Sequence, residues 1–407
     1  MTIRTLHLFS SYTAGGAEKM IISLCRSLQA QGIASAVACP EESYLYAKAL
    51  KDGVKAYPLE IRGSFDPVGI FRLWRIVRKE RVNILHVHQG KLFWPAVIVK
   101  LLQRPVLKVI FHRRTQLTHK FYSRIHYRWA DGVIAISQAV ARVLKDRDKV
   151  DPAKIRVIYN GCDFCRFRLD FPAEELRQQL GLGERTVIGT VGAMNYPKGK
   201  GQAYLLRAAK LLESEFPEAR YLIVGKGQIL DELKGLSARL GLQEKAVFAD
   251  YQEEVEKYIA AMDIFCLLSW DTEAFGQVMV EAQSMGKPVI GTSIGGIPET
   301  FLPGVTGCCV PPEDPETLAR TIAPLLRDPA RRRQMGTAAA QYVRSIFSIE
   351  SMAKETIAVY RGVRASERRT DQCMAPATFK TIGFEVHSGK ELVHRKYSHQ
   401  SGQKTLP

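Results

Sequence analysis

The stretch that most constrains this chain is Ser269-Trp-Asp-Thr-Glu273-Ala-Phe-Gly276-Gln-Val-Met-Val-Glu281-Ala-Gln-Ser-Met-Gly-Lys-Pro-Val-Ile-Gly291. Apolar runs at 264–268 and 288–291 predict two strands, and a helix is predicted to begin after Gly276. Glu273 then lies in the loop before the helix, and Glu281 lies about one and a half turns into it. Because a helix N-terminus binds phosphate, the two carboxylates could hold sugar hydroxyls beside a phosphate. The alternative is ordinary helix chemistry, with Glu281 on a solvated face.

Working outward, strand-like and helix-like segments alternate along most of the sequence. Such alternation predicts an α/β fold with parallel sheets covered by helices. A first series runs from Thr5 to the turn at Asn160-Gly161, and a second begins at Thr186. Two doubly wound units in tandem leave a cleft, and ligands in such sheets bind at the carboxyl ends of the strands.

The segment with the two glutamates, followed by Gly295-Gly296-Ile-Pro-Glu299, resembles the nucleotide-sugar site of retaining glycosyltransferases of the GT-B fold, and family 4 in particular. The resemblance implies two Rossmann-like domains that face a central cleft. It implies an acceptor domain at 1–165, a nucleotide-sugar domain at 166–345 and a crossover helix at 346–363. We expect the basic residues 364–407 to form a disordered tail.

The resemblance also assigns roles in the donor site. Glu273 would position the sugar, Glu281 would hold the ribose, and Phe275 and Gly276 lie between them. Front-face displacement is implied, with the leaving phosphate assisting deprotonation of the acceptor. No clustered carboxylate motif is evident, so we expect transfer without a metal and without a cofactor other than the sugar nucleotide.

Further donor-site candidates lie in glycine-rich turns and at a strand end. Gly15 and Gly16 open the first helix, where the backbone can approach a ligand. Lys198 and Lys200 lie in a loop that can bring ammonium groups to phosphate, and either could be the diphosphate lysine. Two additional residues complete this set: Gly225, after another strand, and His112, at the end of strand 107–111, where it could contact the sugar or stabilise developing charge.

The net charge of the 407-residue chain is +17, and the charge is unevenly distributed. The segment 62–147 carries 18 Lys and Arg against four acidic residues, and such a field attracts anionic partners. The pattern at 70–79 fits a basic amphipathic helix on a membrane surface, or equally a helix that packs on the core. The candidates for an acceptor or membrane surface are Arg72, Trp74, Arg75, Arg113, Arg114 and Lys120.

We therefore expect a retaining glycosyltransferase that moves a hexose-type sugar, preferably from a UDP-sugar, to a lipid-linked or cell-surface glycan. Lipopolysaccharide, capsule and exopolysaccharide are acceptors of this kind. No signal-like N-terminus or membrane-spanning run is evident, so a cytoplasmic protein at the inner face of the membrane is expected. The alternatives are a GT-B epimerase or phosphorylase, or a non-catalytic sugar-nucleotide or nucleic-acid binder. Nucleic acid is not the expected partner, since no nucleic-acid module is recognisable.

Overall fold

The computed structural model describes residues 2–12, 15–103, 106–117 and 125–365, all within one contact unit, Met1–Glu367. These residues form an α/β fold with two parallel sheets, one of seven strands and one of six. Two Rossmann-like units were predicted from the alternation of elements, and the sheets confirm that fold class.

The first sheet has the strand order β3-β2-β1-β4-β5-β6-β7. Its strands are β1 (Arg4–Leu8), β2 (Ala34–Cys39), β3 (Lys55–Pro58), β4 (Ile84–Val87), β5 (Lys108–Arg113), β6 (Gly132–Ala135) and β7 (Ile155–Val157). The helices that accompany it are α1 (Gly16–Ala30), α2 (Tyr44–Lys51), α3 (Pro67–Lys79), α4 (Phe93–Leu102) and α5 (Gln138–Arg142). Short helical turns also lie between these elements, at Gly90–Leu92, Ile125–Trp129, Val143–Arg147 and Pro152–Lys154.

The second sheet has the order β10-β9-β8-β11-β12-β13. Its strands are β8 (Val187–Val191), β9 (Arg220–Val224), β10 (Ala246–Ala249), β11 (Ile264–Leu267), β12 (Val289–Thr292) and β13 (Gly307–Val310). Its helices and turn are α6 (Glu174–Gln179), α7 (Gln202–Leu212), α8 (Leu230–Arg239), α9 (Val255–Ala260), α10 (Gln277–Ser284), the turn Ile297–Glu299, α11 (Pro315–Arg327) and α12 (Pro329–Ile346).

Local sequence explains why these elements begin where they do. Helix α3 starts at Pro67, whose fixed φ suits the first helical position. Asp66 caps it by accepting hydrogen bonds from the backbone N–H groups of Val68 and Gly69. The central strands are buried along their whole length, as expected for parallel sheets covered on both faces.

The last helix, α13 (Ile349–Ala365), returns to the first sheet. Its residues Met352, Ile357 and Tyr360 share a buried cluster with Ile84 and Ile110 of the sheet. A Cβ at Gly161 would lie 2.6 Å from the Ile349 Cα, so the chain can approach the start of α13 only with glycine there. The last helix therefore places Tyr360 against strands of the first sheet, which is formed by the N-terminal half of the chain.

The predicted elements differ from the observed ones in a few places. The alternation predicts no element between Cys39 and Pro67, where the structure has α2 and β3. The sequence also predicts a helix at 122–129, of which the described part forms only the turn Ile125–Trp129. Lys120 and residues 366–407 of the predicted tail lie outside the described residues.

Within the described segments, none of the helices combines the length and the apolar character needed to cross a bilayer.

Candidate functional site

The loops that carry Lys200 and Glu273 follow neighbouring strands of the second sheet. Lys200 follows β8 and Glu273 follows β11, and these strands pair at the point where the strand order reverses. The Lys200 Nζ donates to the Glu273 Oε2 at 2.7 Å, and the Ser269 Oγ is 3.4 Å from the same oxygen. A cation and a carboxylate therefore meet at the switch point, where ligands bind in open α/β sheets.

Glycines allow the loops to approach each other closely. Gly201 has a φ of +79°, and a Cβ there would lie 2.0 Å from the Leu268 carbonyl oxygen. Gly295 has a φ of +57°, and a Cβ there would lie 2.0 Å from the Glu273 carbonyl oxygen. That carbonyl also accepts a hydrogen bond from the Gly296 N–H at 2.8 Å. The Gly295-Gly296 turn thus fixes the backbone of Glu273.

Lys198 and Lys200 have different partners. Lys198 is ion-paired with Glu313, and its ammonium lies 4.8 Å from the centre of the Trp270 ring. The Tyr204 hydroxyl donates to the same Glu313 carboxylate at 2.5 Å. Lys200, by contrast, is the lysine in contact with Glu273. The structure thus places Lys200, and not Lys198, beside the predicted sugar-positioning glutamate.

A polar cavity of about 250 Å³ opens between these loops. Lys200, Ser269, Trp270 and Thr272 contribute to its walls. It offers an ammonium group, hydroxyls and an aromatic surface within one recess. Those groups suit a phosphate and a sugar.

Glu281 lies on α10, enclosed by charged neighbours. Burial raises the pKa of its carboxyl to about 7, opposed by Arg166 and Lys19 and reinforced by Glu256. Arg166 in turn donates to the Glu256 Oε2 at 2.6 Å. The raised pKa and the intermediate exposure of Glu281 argue against the alternative interpretation, a glutamate on a solvated face.

Four predicted donor-site glycines lie in differing surroundings. Gly225 follows β9, and a Cβ there would lie 2.1 Å from the Gly192 carbonyl oxygen. Gly15 and Gly16 form the N-terminus of α1. Gly276 caps α10, as the sequence predicts.

Phe275 does not line the cavity with its side chain. Its ring is buried and lies 5.6 Å from the rings of Tyr159 and Phe347. The sequence placed Phe275 among the donor-binding residues, whereas the structure makes its ring part of the packing between the two halves. Only its backbone remains to face a donor.

Four buried histidines lie together at the carboxyl edge of the first sheet. His7 of β1 pairs in register with His86 of β4. Because side chains alternate along a strand, His86 and His88 share a face, and His112 of β5 joins them, with its Nδ1 3.0 Å from the His86 Nε2. The His7 Nδ1 lies 3.0 Å from the His88 Nε2. Burial lowers the pKa of His7 to about 3 and holds those of the other three well below their usual value, with Arg114 adding to the effect.

Arg114 extends this edge. Its Nε lies 3.4 Å from the His88 Nδ1, and its Nη1 lies 3.2 Å from the Asn160 Oδ1. Burial lowers the pKa of Arg114 to about 10, while Glu18 acts in the opposite direction. The guanidinium therefore stays charged at neutral pH beside four neutral imidazoles, where it can attract an anion.

Arg113 requires a correction. The sequence assigned it to an acceptor or membrane surface, but only 3% of the residue is exposed. Its Nη2 lies 3.5 Å from the Asp148 Oδ2, and its Nε donates to the Thr115 carbonyl at 2.9 Å. Alternation along β5 sends Arg113 to the face opposite His112, where it is buried.

The surface of α3 matches the amphipathic pattern of the sequence. Arg72 and Arg75 are exposed, while Trp74 lines an apolar groove of about 780 Å³ between α3 and α4. Phe65 and Phe71 also line this groove and are 70% and 55% exposed. Basic side chains and exposed aromatic rings thus share one surface.

Direct hydrogen bonds join the two halves near the site. The Glu299 carboxylate accepts from the backbone N–H groups of Gln138 and Ala139 at 2.7 and 2.8 Å, and from the Tyr159 hydroxyl at 3.1 Å. The Ser137 hydroxyl donates to the Ala274 carbonyl at 2.6 Å. Glu299 thereby caps a helix of the other half.

Sequence reasoning missed several neighbours of the site. Glu313 and Tyr360 lie far along the chain from their partners, and no local pattern marks them. The carboxylate of Glu18 was also missed, although it lies two positions after the glycine turn that was singled out. The sequence does place His86 and His88 at a strand end, but their pairing with His7 required the strand order.

Residues 14–166 match the family described as Glycosyltransferase Family 4, and residues 172–342 match the one described as Glycosyl transferases group 1. The chain belongs to glycosyltransferase family 4. This family 4 chain is similar to a D-inositol 3-phosphate glycosyltransferase of Streptomyces scabiei, with 33% identity over 253 residues, 60% of this chain and 56% of the relative. It is also similar to the lipopolysaccharide core biosynthesis mannosyltransferase LpcC of Rhizobium leguminosarum, with 26% identity over 301 residues, 73% of this chain and 83% of the relative.

The fold is shared with solved structures. HepE of Anabaena, in complex with UDP-glucose, superposes with a TM-score of 0.77 and 22% identity over 88% of this family 4 chain and all of HepE. Such identity shows a common fold. The matched part spans slightly more than half of the length of the first curated relatives.

Proposed function

We propose that this chain is a retaining glycosyltransferase that moves a hexose-type sugar from a nucleoside diphosphate sugar to a lipid-linked or cell-surface glycan. The observation that carries the proposal is the contact between Lys200 and Glu273 at the switch point of the second sheet. A cation for phosphate and a carboxylate for sugar hydroxyls lie side by side there, next to a polar cavity.

The proposed chemistry breaks the bond between the anomeric carbon and the diphosphate. The electron pair goes to the phosphate oxygen, the acceptor oxygen attacks from the same face, and the acceptor proton moves to the leaving phosphate. Lys200 and the N–H groups at the start of α10 stabilise the negative charge that develops. Glu273 orients the sugar, and Glu281 accepts a hydrogen bond from the ribose. We propose that the ammonium group of Lys200 supplies the positive charge that a metal ion would otherwise provide, so that transfer proceeds without a metal.

We favour a UDP-sugar as donor. The support is the HepE complex, whose bound molecule is UDP-glucose. The two proteins share the fold over most of their lengths, although their identity is low. A mannosyltransferase is also among the relatives, so donors other than UDP-sugars belong in the test.

For the acceptor, we propose a glycan with anionic groups that is held at a membrane surface. The guanidinium of Arg114 lies at the carboxyl edge of the first sheet and can contact such an acceptor. The basic and aromatic surface of α3 suits an anionic bilayer. The name of LpcC supports a lipopolysaccharide acceptor. The basic and aromatic surface of α3 favours a peripheral position at the inner face of the membrane.

The test is a panel of UDP-, GDP- and ADP-sugars with candidate glycolipid acceptors, analysed for product and for anomeric configuration. We expect one donor to yield an α-linked product from an α-linked donor, with equal rates with and without a chelator. Isomerisation of the donor alone would favour an epimerase, and sugar-phosphate formation a phosphorylase. Duplex binding without sugar-nucleotide binding would favour the nucleic-acid alternative.

Glu273→Gln tests the site directly, with Glu313→Gln as the matched control. The first change removes the charge beside Lys200, whereas the second removes an exposed carboxylate that pairs with Lys198. We expect transfer to fall about 100-fold in Glu273→Gln and to stay near the parent rate in Glu313→Gln. Parental transfer by Glu273→Gln, with both variants folded, would refute this assignment.

A further inference from the structure

A chain of hydrogen bonds connects the last helix to the edge of the first sheet. The Tyr360 hydroxyl of α13 lies 2.6 Å from the His86 Nδ1. The His86 Nε2 lies 3.0 Å from the His112 Nδ1. None of the three residues is more than 2% exposed, so bulk water does not compete for these contacts.

The direction of the chain follows from the hydroxyl. A buried hydroxyl hydrogen requires an acceptor, and among the described residues the recorded partner of Tyr360 is the His86 Nδ1. Tyr360 therefore donates. Burial raises the pKa of Tyr360 well above its usual value, so the phenol keeps its proton.

The imidazoles then have fixed tautomers. Burial keeps the pKa values of His86 and His112 well below their usual value, and each neutral ring carries a single N–H. Because the His86 Nδ1 accepts, its Nε2 carries the hydrogen and donates to the His112 Nδ1. The hydrogen of His112 must then be on its Nε2.

The His112 Nε2 is buried and has no hydrogen-bond partner among the described residues. An unpaired buried N–H typically costs about 1–3 kcal/mol, which a ligand oxygen would relieve. His112 lies near the carboxyl end of β5, the edge at which ligands bind in such sheets.

We propose that Tyr360 is a positioning residue that sets the tautomer of His112 through His86, so that His112 offers an N–H donor to a hydroxyl oxygen of the transferred sugar. The identity of that oxygen rests on the proposed function. The tautomer itself is a property of the protein alone and can be measured without substrate.

A metal ion is the competing use of this cluster. His7, His86 and His88 have ligand atoms within 4.8 Å of one another. Both nitrogens of His86 are, however, hydrogen-bonded. The Arg114 Nε also lies 3.4 Å from the His88 Nδ1, and a guanidinium repels a cation. The contacts thus favour a hydrogen-bonded network.

The experiment compares Tyr360→Phe with Tyr221→Phe in the full chain. Tyr221 is also buried, and its hydroxyl has no partner among the described residues, but it lies in the second sheet. Long-range ¹⁵N–¹H spectra of histidine-labelled protein report the tautomers, and His112→Gln assigns the His112 signals. We expect the parent and Tyr221→Phe to show His112 as the Nε2–H tautomer, and Tyr360→Phe to show a mixture.

Transfer kinetics give the second readout. We expect Tyr360→Phe to lower kcat/KM for the donor about 10-fold, as for loss of one well-placed hydrogen bond, and Tyr221→Phe to leave it unchanged. An Nδ1–H tautomer in the parent, or an unchanged tautomer in Tyr360→Phe, would overturn the relay. A changed tautomer with parental transfer would overturn the sugar contact.

Two further results separate this proposal from others. One equivalent of metal in the purified protein, lost in His7→Gln, would overturn the network in favour of a metal centre. If the parent transfers sugar from none of the donors, the proposed function fails, while the spectra still decide the tautomer.

Discussion

The ammonium group of Lys200 lies 2.7 Å from a carboxylate oxygen of Glu273, 73 positions further along the chain. Both side chains are partly buried, with 31% and 16% exposed. A partly buried pair interacts more strongly than an exposed one, because less water screens it. The pair brings together, at one edge of the second sheet, the two charges that the proposed transfer requires.

Replacing each of the two loop lysines by alanine should have unequal effects. Lys200→Ala removes the cation beside Glu273, so we expect kcat/KM for the donor to fall about 100- to 1000-fold. Lys198→Ala breaks an exposed ion pair with Glu313, and such pairs contribute little, so we expect less than about a 5-fold loss. Steady-state kinetics of the two folded variants measure both losses of kcat/KM. Equal losses would contradict the assignment of Lys200.

The pH dependence of stability should change in Glu281→Gln. The folded-state pKa of Glu281 is raised from 4.5 to about 7, so the folded chain binds this proton more tightly than the unfolded chain. The resulting stabilisation is complete below pH 4.5 and is lost as the pH rises through 7. Relative to Glu281→Gln, the parent should therefore lose free energy of unfolding over this range, by at most about 1.4 kcal/mol per pH unit.

Urea unfolding at several pH values measures this difference. Glu316→Gln, which changes an exposed carboxylate of α11, is the control and should follow the parent at every pH. A constant offset between the parent and Glu281→Gln would show that Glu281 does not titrate in this range.

Glu299→Ala should loosen the junction between the two halves. The change leaves the backbone N–H groups of Gln138 and Ala139 without their carboxylate partner and removes the acceptor of the Tyr159 hydroxyl. Loss of a helix cap and of charge-assisted hydrogen bonds suggests a loss of about 1–3 kcal/mol in the free energy of unfolding. Chemical denaturation measures it, with Glu316→Ala as an exposed control. Identical midpoints for both variants would refute this role.

Charge reversal on α3 tests the proposed membrane surface. Arg72→Glu with Arg75→Glu removes two exposed cations of α3, the helix whose Trp74 lines the apolar groove. At about 1 kcal/mol per basic residue near an anionic bilayer, we expect binding to phosphatidylglycerol vesicles to weaken roughly 30-fold or more. Vesicle sedimentation at low salt measures it.

The matched control is Arg331→Glu with Arg333→Glu, an equal charge change at exposed positions of α12. It should reduce vesicle binding much less, because these residues belong to the second half of the chain. Equal weakening by both double variants would indicate attraction by net charge alone and would remove the special role of α3.

Local patterns were sufficient for much of the fold. Local sequence predicts helices at Pro67–Lys79 and Phe93–Leu102 with the bounds that the structure has, because an apolar stripe, and for α3 also the Asp66 cap, is written in contiguous residues. The elements α5, α6, β13, α11 and α12 were not predicted, and helix α2 and strand β3 were missed as well. Both are short, and β3 is an edge strand that is only partly buried, so it lacks the apolar run that marks the central strands.

Side-chain environment was harder to predict than the elements. Arg113 and His112 are neighbours, yet Arg113 is paired with Asp148 and His112 with His86. The sequence assigned Arg113 to a basic acceptor or membrane surface and His112 to the donor site. The alternation of β5 separates the two side chains, and the elements that cover each face decide what each one contacts.

The sequence by itself determined two series of alternating elements, a glycine turn before α10 and the seven-residue gap that separates Glu273 from Glu281, because all of these depend on residues close together in the chain. Only the tertiary structure decided which lysine meets Glu273 and that Tyr360 reaches His86. Those contacts join residues far apart in sequence, and they depend on the order of the strands and on the path of the last helix, which no local period encodes.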